Sequence, residues 1–169
     1  VPVYAAGEIN GHHYIASAHL PGERLTDLLA NRETPLEPEK GVEIVADIAM
    51  ALDYAHEHGI HHDGLTTDNI IIAADGRALV ADFCLAEGVD VAADHPADAP
   101  PAFETFFLAP EQLHGDVERD QRVDVFGLGV VTYAMLTQRL PFEADSQDAL
   151  LNAIVNEPSF PAQTANPSL

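Results

Sequence analysis

The sequence predicts an α+β chain, a mostly helical body behind a short N-terminal β-hairpin. Three features point to it. Val1 to Ala6 and Tyr14 to Ala18 are apolar segments joined by Gly7-Glu8-Ile9-Asn10-Gly11-His12-His13, a glycine-containing connection of the kind that links antiparallel strands. Apolar residues then recur at helical spacing in two long stretches, one ending near Ala55 and one running from Val123 to Thr137. Between them, Ile70 to Ile72 and Leu79 to Ala81 are short apolar runs around Asp75-Gly76, a strong turn signal.

The elements follow in order. Pro21-Gly22 ends the hairpin region, and Glu23 to Ala30 is expected as a short helix with Leu25, Leu28 and Leu29 inward. Pro35 to Lys40 leads into a longer helix, with prolines and acids suited to a first turn. Its expected inner face is Val42, Val45, Ile48, Ala49, Leu52 and Ala55, and Gly59 ends it. Glu87 to Phe103 is rich in Ala, Asp and Pro and reads as a loop. In the third helical pattern, Val125, Leu128, Val131, Thr132 and Leu136 lie on or near one face, and Arg139-Leu140-Pro141-Phe142 breaks it. Ser146 is placed to cap a last helix that runs to about Glu157. The tail after Pro158 is expected to be mobile.

With 169 residues and 47% apolar composition the chain is long enough for one domain with a real core. No apolar run approaches the length of a membrane span, and no signal peptide opens the chain. A start at Val1 rather than Met is expected of a sequence that begins inside a longer protein. The single cysteine, Cys84, excludes an internal disulfide and fits a reducing, cytoplasmic setting. Asp plus Glu number 28 against 7 Lys plus Arg, a net charge of -21. Such a surface repels nucleic acid and anionic lipid. It fits either a plain acidic bias or adaptation to high salt, where screening relieves the repulsion.

The chemistry concentrates in Gly59 to Ile72, which reads G-I-H-H-D-G-L-T-T-D-N-I-I-I, followed by Asp82-Phe83-Cys84 and then Ala109-Pro110-Glu111. That order and spacing resemble the catalytic core of protein kinases: H-R-D-L-K-P-E-N, D-F-G, A-P-E. The run from Arg122 to Phe142 resembles the central helix of the kinase C-lobe. A small hydroxyl residue at Thr66 is similar to bacterial- or archaeal-type Ser/Thr kinases. The resemblance implies that residues 1–20 are the end of the N-lobe and the hinge. Residues 21–158 are then a kinase-like C-lobe incomplete at its C-terminus, and 159–169 a mobile tail. The glycine-rich loop and the lysine that grip ATP phosphates would lie before Val1.

The resemblance also implies roles. Counted back from Asn69 without gaps, the catalytic aspartate position holds Gly64, the arginine before it is Asp63, and the lysine two after it is Thr66. A register shifted by one would instead make Asp63 the base. Asn69 and Asp82 match the two Mg²⁺ ligands, and hard oxygen donors suit that ion. Ser17 falls at the gatekeeper, and Ala18 and Leu20 at the hinge that would pair with adenine. His62 and Phe83 match packed spine residues, Asp124 the helix aspartate that braces the catalytic loop, and Glu111 the A-P-E glutamate. Cys84 replaces the D-F-G glycine, and a Cβ there is expected to bias the segment toward one state. Thr105 is the one candidate for a loop phosphate, with Glu104 where the family's substrate-loop threonine belongs. The paired histidines lack ligand spacing for a transition metal. The implied function is a partial, catalytically impaired kinase-like module of regulatory or scaffolding type. The alternative is an active ATP-dependent Ser/Thr kinase once joined to an upstream N-lobe. ATP and Mg²⁺ are expected only with that lobe present. The expected partner is a protein, as substrate or binding partner, with no nucleic acid and no membrane segment.

Overall fold

The computed structural model describes residues 3–10, 12–83, 101–113 and 120–169. The expected loop 87–103 and Cys84 fall almost wholly outside them. Strands β1 (Val3–Ile9) and β2 (His12–Ser17) form an antiparallel hairpin in which Ala6 faces Ile15 and Gly7 faces Tyr14. The connection is tighter than expected, because Asn10 takes a left-handed φ of 54° that lets the strands run up to the turn. Every residue of β1 is exposed.

A second sheet follows, in the order β3 (Gly22–Arg24), β4 (Ile70–Ala73), β5 (Ala78–Val80). Strand β3 was not expected. Glu23 and Arg24 enter an antiparallel ladder with Ile72 and Ile71, so helix α1 begins only at Leu25 and runs to Ala30. The ladder satisfies backbone groups that a first helical turn would leave without partners. Gly22 makes this possible, since a Cβ there would lie 2.6 Å from the Ile72 carbonyl oxygen and 2.7 Å from Ile71 Cγ2.

Helix α2 (Pro38–Glu57) starts on a proline, where a missing N–H costs nothing. It ends before Gly59, whose φ is 71°. Its buried stripe is Gly41, Ile44, Ile48, Leu52 and Ala55. Val42 does not belong to it. Two residues from Ile44 it is turned about 200° round the helix, and it is 67% exposed. Asp47 Oδ2 accepts from the Ala78 N–H at 2.8 Å and ties the helix to β5.

Helix α3 (Arg122–Thr137) packs on α2, and the Leu36 N–H donates to the Met135 carbonyl at 3.0 Å. Its buried face is Val123, Asp124, Gly127, Val130, Val131, Ala134 and Met135. Val125, expected inside, is 61% exposed, because a carboxylate takes the inward position beside it. Helix α4 (Gln147–Asn156) is capped by Ser146 Oγ, which accepts the Ala149 N–H. The tail was expected to be mobile, yet it forms helix α5 (Ala162–Ala165). Asn166 Nδ2 donates to the Leu136 carbonyl at 2.7 Å, and the Phe160 N–H to that of Pro141 at 2.9 Å. Leu25, Ile44, Ile48, Ile70, Val131 and Met135 form the centre of one core spanning α1, α2, β4 and α3. No helix among the described residues is long and apolar enough to cross a membrane.

The tight β3–β4 approach gives a direct test. Gly22→Ala must push the strands apart, and the expected loss is about 1–3 kcal/mol, read as a lower urea midpoint with an unchanged slope.

Candidate functional site

The segment between α2 and β4 is held by one buried side chain. Asp124 opens the inward face of α3 and is 1% exposed. Its Oδ2 accepts from the His62 N–H at 2.9 Å and pairs with His56 Nε2 at 2.7 Å, while Oδ1 accepts from the Asp63 N–H at 2.8 Å. Three donors thus meet one carboxylate, which offsets its desolvation. One turn along α3, Gly127 lets the loop lie close, since a Cβ there would be 3.2 Å from the Leu65 carbonyl oxygen.

Around this anchor the loop follows a defined path. Asp63 has a φ of 62° and Asp82 a φ of 63°, a region L-residues avoid but aspartate tolerates best. His62 is 1% exposed, donates Nε2–H to the Ala81 carbonyl at 2.9 Å, and lies 4.8 Å from the Phe83 ring. Burial holds the His62 imidazole below its ordinary 6.5, against the opposing pull of the Ala81 carbonyl and the Asp124 carboxylate. Gln112 bridges the loop to the following segment. Its Oε1 accepts the Ala109 N–H at 2.8 Å and its Nε2 donates to the Asp63 carbonyl at 2.7 Å.

The positions singled out in the sequence divide. Gly64 is half-buried and offers no side chain. The Asp63 Oδ1 is buried, so that oxygen does not face solvent. Thr66 is buried and caps a short 3-10 turn, Thr67–Asn69: its hydroxyl accepts the Asp68 N–H. Asn69 and Asp82 are brought side by side, because the Ala81 N–H donates to the Asn69 carbonyl at 2.8 Å, continuing the β4–β5 pairing. Asp82 is exposed. The Asn69 side-chain oxygen, however, accepts from both the N–H and the hydroxyl of Thr66, each at 3.0 Å. A backbone N–H can only donate, so the amide oxygen must face inward and the NH₂ outward. A hard cation needs the oxygen. In this arrangement Asp82 fits a Mg²⁺ ligand and Asn69 does not. Ser17 closes β2 and is exposed, while Ala18 and Leu20 are half-buried in the link to β3. Thr105 is fully buried, within 3.3 Å of Gln147 Oε1 and 3.1 Å of its Nε2, so the candidate phosphate site is enclosed.

Three contributors were not foreseen: His56, Gln112 and the Thr26–Thr67 hydroxyl pair at 2.6 Å. His56 lies at the edge of the buried face of α2, one signal the helical spacing does carry. The others join residues far apart in the chain and leave no local pattern.

Comparison with known proteins agrees with this geometry. Residues 1–167 match the family model described as the protein kinase domain. The chain is 35% identical over 162 residues to the serine/threonine-protein kinase PknD of Mycobacterium tuberculosis, covering 94% of this chain and 24% of that protein. It is 33% identical over 165 residues to PknB of Mycobacterium leprae, covering 95% and 26%. It is 32% identical over 174 residues to PknB of Mycobacterium tuberculosis, covering 100% and 28%. The chain therefore spans about a quarter of the length of the curated relatives it matches.

Two outcomes follow. Asp124→Ala leaves three buried donors without an acceptor and is expected to lower stability by on the order of 3 kcal/mol or more. Asp124→Asn, which keeps one acceptor oxygen, falls between it and the parent in urea unfolding. For His62 the folded pKa lies below the unfolded one, so the unfolded chain binds the proton first as pH falls. Stability is retained above the ordinary 6.5 and declines below it, read as a falling urea midpoint from about pH 7 to about pH 5.5.

Proposed function

Because the chain belongs to the protein kinase domain family, we propose that it acts as a kinase-like C-lobe module that binds or positions a protein partner and is impaired in phosphoryl transfer. The observation that carries this reading is Gly64. The gapless count from Asn69 puts it where a carboxylate would take the substrate hydroxyl proton. The anchoring of the His62 and Asp63 amides on Asp124 supports that register. So does the buried Oδ1 of Asp63, which argues against Asp63 as a shifted base.

The rest of the machinery is altered in the same direction. Thr66 cannot supply the positive charge of a lysine and is spent on capping the loop. An aspartate at 63 would repel a loop phosphate rather than pair with it. ATP and Mg²⁺ enter this reading only with N-lobe residues present. The ion would neutralise phosphate charge, Asp82 is the residue placed to hold it, and Ser17, Ala18 and Leu20 are the positions proposed to border the adenine. A protein partner and a cytoplasmic setting complete the reading, supported by the lone cysteine and the acidic surface.

A second reading, an active ATP-dependent Ser/Thr kinase when joined to an upstream N-lobe, draws support from the exposed carboxylate of Asp82 beside Asn69.

Transfer of radiolabelled γ-phosphate by the full-length gene product, with Mg²⁺ at low and at molar KCl, separates the two. The expected result is incorporation at background in the parent and in Asp63→Asn and Asp82→Asn. Incorporation by the parent that Asp63→Asn abolishes would establish the shifted register and overturn the impaired reading. Incorporation lost only in Asp82→Asn would establish a kinase working without the usual base.

A further inference from the structure

Beside the catalytic-loop turn lies an open cavity of about 210 Å³, bordered by Thr26 and Leu29 of α1, Thr67, Phe103, Phe107 and Arg139. Its polar groups are already matched to one another. The Thr26 and Thr67 hydroxyls bond at 2.6 Å. Gln138, also on the wall, donates to the Arg32 carbonyl at 2.9 Å. Arg139 is held by both oxygens of Glu143 at 3.0 Å and lies over the Phe160 ring at 5.0 Å. What remains open to a ligand is apolar, and Phe103 is 38% exposed at its mouth. An apolar cavity of roughly 150 Å³ admits benzene, so this one has room for a single branched aliphatic or aromatic side chain.

The charge around it is one-sided. Asp27, Asp68 and Glu104 directly follow the lining residues Thr26, Thr67 and Phe103, and none is fully buried. None of the three enters an ion pair among the described residues. The only cation on the wall is neutralised by Glu143. Carboxylates round an apolar hole complement an apolar residue flanked by arginines or lysines.

We propose that this cavity anchors one apolar side chain of a protein partner, in a segment whose flanking residues are basic. The proposal rests on the reading that the module binds protein, and it names the chemistry of the bound segment. Thr67 places the anchor against the loop 64–69, so a segment held here runs beside that loop. Size selects the anchor residue, and the carboxylates select its neighbours.

The test is fluorescence anisotropy with labelled Arg-Arg-Leu-Arg-Arg and Arg-Arg-Ala-Arg-Arg, free of nucleotide and Mg²⁺, on the 169-residue chain. The leucine peptide is expected to bind about tenfold more tightly. Ala30→Trp, at an exposed position on the cavity wall, should erase that preference while leaving the alanine peptide unchanged. The triple variant Asp27→Asn, Asp68→Asn, Glu104→Gln should weaken both peptides together. Equal binding of the two peptides overturns the proposal. So does a leucine preference that survives Ala30→Trp, or no binding by a chain that circular dichroism shows to be folded. Phosphate transfer by the full-length protein would overturn the impaired reading and leave this one standing. Equal peptide binding would do the reverse.

Discussion

The carboxylate of Asp124 is the interaction on which the region between α2 and β4 depends. A charge that is 1% exposed must be met by donors, and the donors it finds come from two places: the His56 ring on α2 and two successive amides of the loop. Because the loop contributes its backbone, its path is set with little regard to which side chains it carries. Gly127, one turn away, brings the helix close enough for that to work. A loop held this way can exchange an arginine for Asp63 or an aspartate for Gly64 and keep its shape. Scaffold and chemistry are separable here because different atoms serve them.

Thr66 and Asn69 illustrate the same separation from the other side. Together they form a reciprocal cap in which the hydroxyl takes the Asp68 amide and the carboxamide takes the Thr66 amide. This cap strengthens the turn and, by the same contacts, withdraws the Asn69 oxygen from any ion. A residue type suited to metal is therefore no guarantee of a ligand. What matters is whether its lone pairs are already in use.

Much of the fold was legible in the sequence. Regular helices carry their periodicity, Pro38 and Gly59 mark the ends of α2, and Asp75-Gly76 marks the turn between β4 and β5. The misreadings share a cause. Val42 and Val125 are apolar and near the right spacing, yet each lies off the stripe that long-range packing selected, in one case because Asp124 claimed the inward position. Glu23 and Arg24 have no strand signature, and it is pairing with β4 that makes them one. The tail reads as polar and irregular, and its attachment through Asn166 to the end of α3 spans 30 residues of chain. At the site, motif order located Asn69 beside Asp82. It could not reveal that Thr66 occupies the oxygen of Asn69, or that Gln147 encloses Thr105.

The hairpin has a bearing on how copies of this chain behave toward one another. Among the described residues β1 pairs only with β2, so both strands keep an open edge, and Val3, Tyr4 and Ile9 stand well out of the protein. Open edges with apolar side chains invite strand-to-strand association. The net charge of -21 opposes it, because approaching copies repel before their edges meet. That protection is electrostatic and therefore has a range. At molar salt the screening length shrinks to about 3 Å, and the edges lose their guard. Concentrated salt thus relieves strain within each acidic molecule while removing the barrier between molecules, so colloidal stability and folding stability respond to salt with opposite sign.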